Sequence, residues 1–113
     1  MHELSITQNI LNLALQHAEA AGARRITAIN LVIGELSSVV DDSVQFYWDF
    51  IGQGTMAEGA TLHFERVRAI LQCRDCGHEF PRNADYTCPA CGSLRIAVKS
   101  GDEFYMKSIE VEE

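Results

Sequence analysis

Four cysteines stand as Cys73-x2-Cys76 and Cys88-x2-Cys91 with 11 residues between the pairs. This is the spacing of two knuckles facing each other across a small ribbon, a donor set suited to tetrahedral zinc. Each C-x2-C motif places two thiolates on one tight turn. Gly77 and Gly92 directly follow the second cysteine of each pair, where positive φ lets backbone amides turn toward sulfur, and Pro89 stiffens the second knuckle. A segment as short as residues 71–98 cannot stabilise itself by burial alone, so a closed shell of four thiolates is expected to supply its folding energy. Four sulfurs leave no open position for water, which argues for a structural rather than a hydrolytic metal. Iron accepts the same four thiolates and is the alternative metal; disulfides are disfavoured in a chain read as cytoplasmic. His78, two residues past Cys76, is a spare donor, read as a surface loop histidine.

A second constellation stands at the start of the chain, Met1-His2-Glu3. A free α-amine, the His2 amide nitrogen and the imidazole Nδ1 close a five- and a six-membered chelate ring and present a planar donor set. Planar nitrogen ligation suits Ni(II) or Cu(II) rather than tetrahedral Zn(II). The site requires Met1 to be retained, as expected before a residue as large as histidine. Glu3 adds an oxygen donor or an acceptor that orients the imidazole.

The elements that must position these groups are legible in outline. Leu4, Leu11, Ala14, Leu15 and Ala18 recur at helical spacing over residues 4–21, widened by Ile10, Leu13 and Ala21, with Gly22 as a C-terminal stop. Ser5-x-x-Gln8 matches a capping box, and a start nearer Glu3 is equally compatible. Either way Met1 to Glu3 precede or begin the first turn, where helix amides have no intrahelical partner. The apolar run from Arg25 to Ile33 lacks clean alternation, which predicts a strand covered on both faces or carrying a bulge. Asp41-Asp42 can cap a second helix with a Val44, Tyr47, Trp48, Ile51 stripe that stops at Gly52 and Gly54. One strand is expected from about Ala60 to Leu71 and a last one from about Glu103 to Val111, introduced by Ser100-Gly101-Asp102.

A length of 113 residues, with 47% hydrophobic and 22% charged, suits one compact domain with a small appended module. No run approaches the roughly 18 apolar residues of a membrane span, and the first twenty residues do not read as a signal peptide. A cytoplasmic chain without a membrane partner is expected. Nine basic against 16 acidic residues give a net charge of -7, so nucleic acid is disfavoured. His17 and His63 are read as polar-face residues. Arg66 and Arg68 on one strand face, and Arg24-Arg25, are read as solvated charges able to meet an acidic partner. Gly52-Gln53-Gly54 is too short for a phosphate loop. No hydrolase elbow, metalloprotease helix or kinase signature occurs, so no enzyme is expected.

Taken in order, Met1-His2-Glu3-Leu4-Ser5, Ile33-Gly34-Glu35-Leu36-Ser37, Glu58-Gly59, the two cysteine pairs with Cys88-Pro89-x-Cys91-Gly92, and Ser108-Ile109-Glu110-Val111 resemble the hydrogenase nickel-incorporation family HypA/HybF over the whole length. The resemblance implies a metallochaperone that binds Ni(II) through His2 and nearby backbone nitrogens of Met1 and Glu3. It implies structural zinc on Cys73, Cys76, Cys88 and Cys91, and delivery of nickel to the [NiFe]-hydrogenase large subunit precursor with a HypB-type GTPase as partner. It also implies an α/β fold: a nickel-binding domain of residues 1–70 plus 99–113, its small three-stranded sheet packed by two helices, with a zinc-ribbon domain of residues 71–98 inserted before the last strand. The order of elements read from the residues is the same. A monomer or weak homodimer is expected. Some family members carry a histidine after each cysteine pair, whereas here His78 follows the first and Ser93 the second, which weakens any two-histidine rearrangement of the zinc site. The competing classes are a zinc-ribbon interaction module without metal delivery, and a small redox protein with iron on the four thiolates.

Overall fold

The computed structural model describes residues 3–113. Within it the first helix, α1, runs Glu3–Ala20 and the first strand, β1, Arg25–Gly34. A second helix, α2 (Asp41–Ile51), is followed by β2 (Thr61–Val67), β3 (Ile70–Cys73), β4 (Glu79–Pro81), β5 (Ile96–Ser100) and β6 (Phe104–Glu112). Two three-stranded sheets result, ordered β2-β1-β6 and β4-β3-β5. The molecule is long, 56 × 25 × 16 Å, with a radius of gyration of 17.9 Å. A compact chain of this length would have about 13 Å. The sheets therefore sit end to end, each with its own small core.

The helical part is organised by β1. It pairs in parallel with β2 (Ile29 with Leu62, Ile33 with Arg66) and antiparallel with β6 (Ile29 with Ile109, Ile33 with Phe104). A parallel pair needs a crossover, and α2 supplies it between β1 and β2. Both expectations for β1 hold: most of its residues are buried, and its pairing with β6 shifts register at Ile26/Ala28 and Asn30/Leu31. Ile26, Ile29 and Leu31 pack with Ile10, Leu11, Ala14 and Ala18 of α1 and with Val44 and Trp48 of α2.

Several local expectations are corrected. The face of α1 that is buried is Glu3, Thr7, Ile10, Leu11, Ala14 and Ala18, a spacing that leaves Leu4 and Leu13 half exposed. Because the helix already includes Glu3, Ser5 lies inside its first turn and is not the cap. Gly22 does end α1, at φ 71°. In α2 the cap position is Val40 rather than an aspartate, and no side chain of its own caps it. Asp41 instead pairs with Arg66, while both aspartates sit in the first turn, where the helix dipole favours them. The strand expected over 60–71 is two strands in different sheets, broken at Arg68-Ala69.

That break is where the sheets join, and the Gly34-Glu35-Leu36 turn clamps it. The Gly34 amide donates to the Glu103 carbonyl at 2.7 Å, that of Glu35 to Val67 at 2.8 Å, and that of Leu36 to Gly101 at 2.6 Å. The Glu35 carboxylate accepts the Ala69 amide at 2.9 Å. There is no room for a side chain: a Cβ on Gly34 would lie 2.1 Å from the Gly101 carbonyl oxygen, and one on Gly101, at φ 104°, would lie 2.5 Å from the Ala69 Cα. Since the obstacles are backbone, relief requires moving a strand connection. Gly34→Ala is expected to destabilise by more than about 2 kcal/mol, read as a lowered urea midpoint.

Candidate metal centre

The ribbon is built from β3, β4 and β5, all antiparallel, with Leu71 opposite Phe80 on one side and Val98 on the other. Its core is small: Leu71, Cys73, Phe80 and Cys88 are buried, with Leu36 and Ile96 against them. Two of those four buried residues are metal-ligand candidates, so the metal site and the core are the same object.

The two knuckles repeat one geometry. After Cys73, the amides of Asp75 and Cys76 donate to its Sγ, each at 3.4 Å; after Cys88, those of Ala90 and Cys91 do the same at 3.4 Å. The Gly77 amide reaches back to the Cys73 carbonyl at 3.0 Å, and that of Gly92 to Cys88 at 2.8 Å. Both glycines have positive φ, 79° and 74°, as the turn requires. Across the knuckles, Sγ of Cys73 lies 3.5 Å from that of Cys91, and Sγ of Cys76 lies 3.5 Å from that of Cys88. All four sulfurs fall within 4.8 Å of one another. A tetrahedron with metal–sulfur bonds of about 2.3 Å has edges of about 3.8 Å, so these sulfurs fit such an ion.

The amide bonds also set the acidity of the thiols. The Cys76 amide is the main influence on Cys73; with that of Asp75 it outweighs burial and brings the thiol down to about 6. At Cys88, burial raises the value, but the amides of Cys91 and Ala90 lower it further, and the net shift is downward. The second cysteine of each knuckle behaves oppositely. Cys91 is lowered by the Ser93 amide, yet the neighbouring Cys73 sulfur and burial push it up to about 12. Cys76 is lowered by the His78 amide and raised on balance by Cys88 and burial. Cys73 and Cys88 are thus the more acidic thiols of the two knuckles, and a dication would remove the protons that remain on the set.

His78 is exposed and stacks on Phe80, ring centroids 5.9 Å apart at 14°, outside the four-sulfur set. It corresponds to Ser93 in the other knuckle: the Cys73 amide donates to the His78 carbonyl at 2.9 Å, that of Cys88 to the Ser93 carbonyl at 3.0 Å. Ser93 and Arg95 both bond the Asp75 carboxylate, Arg95 at 2.9 Å, which ties one knuckle to the other.

Met1 and His2 lie outside the described residues, whereas Glu3 is the first residue of α1. The residue is only 4% exposed, and its Oε2 accepts the Val40 amide at 3.3 Å. The start of α2, which has no side-chain cap of its own, is thus capped from α1. Oε1 is buried with no hydrogen-bond partner among the described residues. Sequence reasoning weighed Glu3 for its backbone nitrogen and as an oxygen near His2 and missed this helix-to-helix bond. The signal available was the absence of a capping side chain at Val40. Glu3→Ala leaves the Val40 amide unpaired and is expected to cost about 1–3 kcal/mol in denaturant unfolding, with Glu3→Gln recovering most of it.

A family model described as "Hydrogenase/urease nickel incorporation, metallochaperone, hypA" matches residues 1–111. The chain belongs to the HypA family. Within HypA, the hydrogenase maturation factor of Dehalococcoides mccartyi is 48% identical, over 100% of this chain and 96% of that protein. The factor of the same name from Caldanaerobacter subterraneus subsp. tengcongensis is 44% identical, over 99% of this chain and 100% of its own length. The fold is also similar to the solution structure of the nickel metallochaperone HypA from Helicobacter pylori, at a TM-score of 0.69 and 27% identity, covering 99% of this chain and 98% of that one. The resemblance read from the motifs is thereby shown, as is its mixed α/β fold with clustered cysteines. The four cysteines stand together as a set that could hold a metal ion.

Proposed function

We propose that this protein is a nickel carrier that takes up Ni(II) at Met1-His2-Glu3 and passes it to the large-subunit precursor of a [NiFe] hydrogenase, with a HypB-type GTPase as partner. The observation that carries the reading is the family match across residues 1–111. Nickel is cargo here, and the ligands assigned to it are the His2 imidazole and amide, with the Met1 amine and the Glu3 backbone nitrogen completing the set. Chelation through Nδ1 leaves the imidazole Nε2–H free to donate. The buried Oε1 of Glu3, which has no hydrogen-bond partner among the described residues, is the acceptor we assign to it. Anchoring of the Glu3 side chain under α2 supports a terminus held at a rigid base while remaining open to an incoming acceptor ligand.

The four thiolates are assigned to zinc in a structural role. They would hold the ion in a filled shell, and the fold energy it supplies belongs to the ribbon of residues 71–98, distinct from a nickel-binding domain of residues 1–70 plus 99–113. No enzymatic step is assigned to either site. A cytoplasmic location accords with a maturation role, and no described helix is long and apolar enough to cross a membrane.

X-ray absorption on untagged protein loaded with both metals tests the assignment. The expected result is zinc surrounded by four sulfurs and nickel surrounded by nitrogen and oxygen in a planar arrangement. A sulfur-rich nickel spectrum would move nickel to the cysteines and overturn the reading.

A further inference from the structure

We propose that the cleft between the two sheets binds an extended acidic peptide segment of a partner protein, with Arg68 as its principal contact. The cleft, about 660 Å³, lies where β2 leaves one sheet and β3 begins the other, and Glu35, Arg66, Arg68 and Arg82 are among the residues that line it. A chain with only nine basic residues and a net charge of -7 places three of its arginines around one cavity. The Glu35 carboxylate bridges the Ala69 amide at 2.9 Å and Arg82 at 3.4 Å, which holds Arg82 beside the Arg68-Ala69 break. Arg66 pairs with Asp41. Among the described residues Arg68 forms no ion pair, so three arginines face two carboxylates, and one positive charge is unanswered.

The chemistry of the ligand follows from what the cleft already does. Two of its arginines hold carboxylates, the planar groups that the guanidinium fork matches. A peptide with acidic residues at alternate positions presents them on one face about 6.6 Å apart, and Arg66, in β2, and Arg68, just beyond its end, are likewise two positions apart. β2 is an edge strand of its sheet, which leaves a side along which an extended segment can lie. A long polyphosphate is disfavoured because the field of the whole molecule repels it beyond the cleft, whereas a short acidic segment engages only the local charge.

Fluorescence anisotropy of a labelled short peptide alternating glutamate and alanine, titrated with the zinc-loaded full chain, is the test. Saturable binding that weakens with salt is expected, with Arg68→Glu weakening it at least about tenfold. Because Arg68 forms no ion pair among the described residues, that variant should keep its zinc and circular dichroism; Arg68→Gln should weaken binding in the same direction by less. Absence of binding, unchanged affinity in Arg68→Glu, or equal binding of a lysine-for-glutamate peptide would overturn the proposal. Displacement of the peptide by an equal concentration of single-stranded RNA would overturn it too, in favour of a phosphate site.

Discussion

Cys88→Ser is expected to drop the ribbon metal well below one ion per chain and to unfold residues 71–98 while β1 and the two helices remain folded. Cys88 is 2% exposed, packs with Leu71 and Phe80, and accepts two backbone amides on its sulfur. Serine keeps the size but replaces a thiolate by a hydroxyl that does not ionise at neutral pH. Three sulfurs then hold the ion in an incomplete shell, and the amides of Ala90 and Cys91 lose a charged acceptor. Binding energies of structural zinc in small modules are about 10–16 kcal/mol, well above what the two fully buried apolar side chains besides the cysteines, Leu71 and Phe80, supply at about 1.5–3 kcal/mol each. The core around β1 is a separate cluster and does not include these residues. Hydrogen exchange resolved by residue, beside metal analysis, reads both halves: protection lost over β3 to β5 and kept over β1. Unfolding of the whole chain together would show that the clamp at Gly34 makes the two cores one cooperative unit. In the unaltered protein, metal loading at neutral pH should release protons from Cys76 and Cys91, the thiols held up, while Cys73 contributes little. Calorimetry in two buffers of different ionisation heat measures the count.

His2→Ala is expected to weaken nickel binding by more than about a hundredfold, since losing even an outer partner of a ligand costs 10–100-fold. It should leave ribbon zinc and thermal stability unchanged. The reason for the separation is spatial: the four cysteines cluster around the small sheet β4-β3-β5, whereas the described chain opens at Glu3 on the helix that packs on β1. A companion protein extended by two residues before Met1 keeps every side chain but converts the amine to an amide, and it should lose affinity comparably. Nickel titration of both proteins decides the matter. Retained stoichiometry in His2→Ala would exclude the terminus as the site, and an unaffected extended chain would exclude the amine alone. Glu3→Gln separates positioning from ligation, because it keeps an acceptor for Val40 and should lower nickel affinity less than His2→Ala does.

The resemblance between sequence expectation and structure is uneven for physical reasons. Cys73, Cys76, Cys88 and Cys91 were legible because a knuckle is a local object: two ligands three residues apart, with glycine where φ must be positive. β1 was legible because burial on both faces imposes a run rich in apolar residues, interrupted here only by Thr27 and Asn30 between Ile26 and Ile33. Leu4 and Leu13 were misread because a helix with apolar residues on several sides does not declare which face meets a neighbour. Ser5-x-x-Gln8 left the helix start open, since a capping pattern recurs by chance inside a first turn, and of the two compatible starts the helix takes the one at Glu3.

The amino-acid sequence by itself determined the pairing of the cysteines in two C-x2-C knuckles, the succession of α1, β1, α2 and a last strand, and the family. Each of these depends on residue type and on spacings of a few positions. Tertiary structure alone decided that the stretch from Ala60 to Leu71 serves two sheets, because the break at Arg68-Ala69 is enforced by Gly34 and Gly101, which are more than thirty positions away from it. It also decided that a buried Glu3 caps a helix 37 positions later and that three arginines line one cleft. Those are contacts between distant segments, and their partners are chosen by packing, which no local spacing encodes.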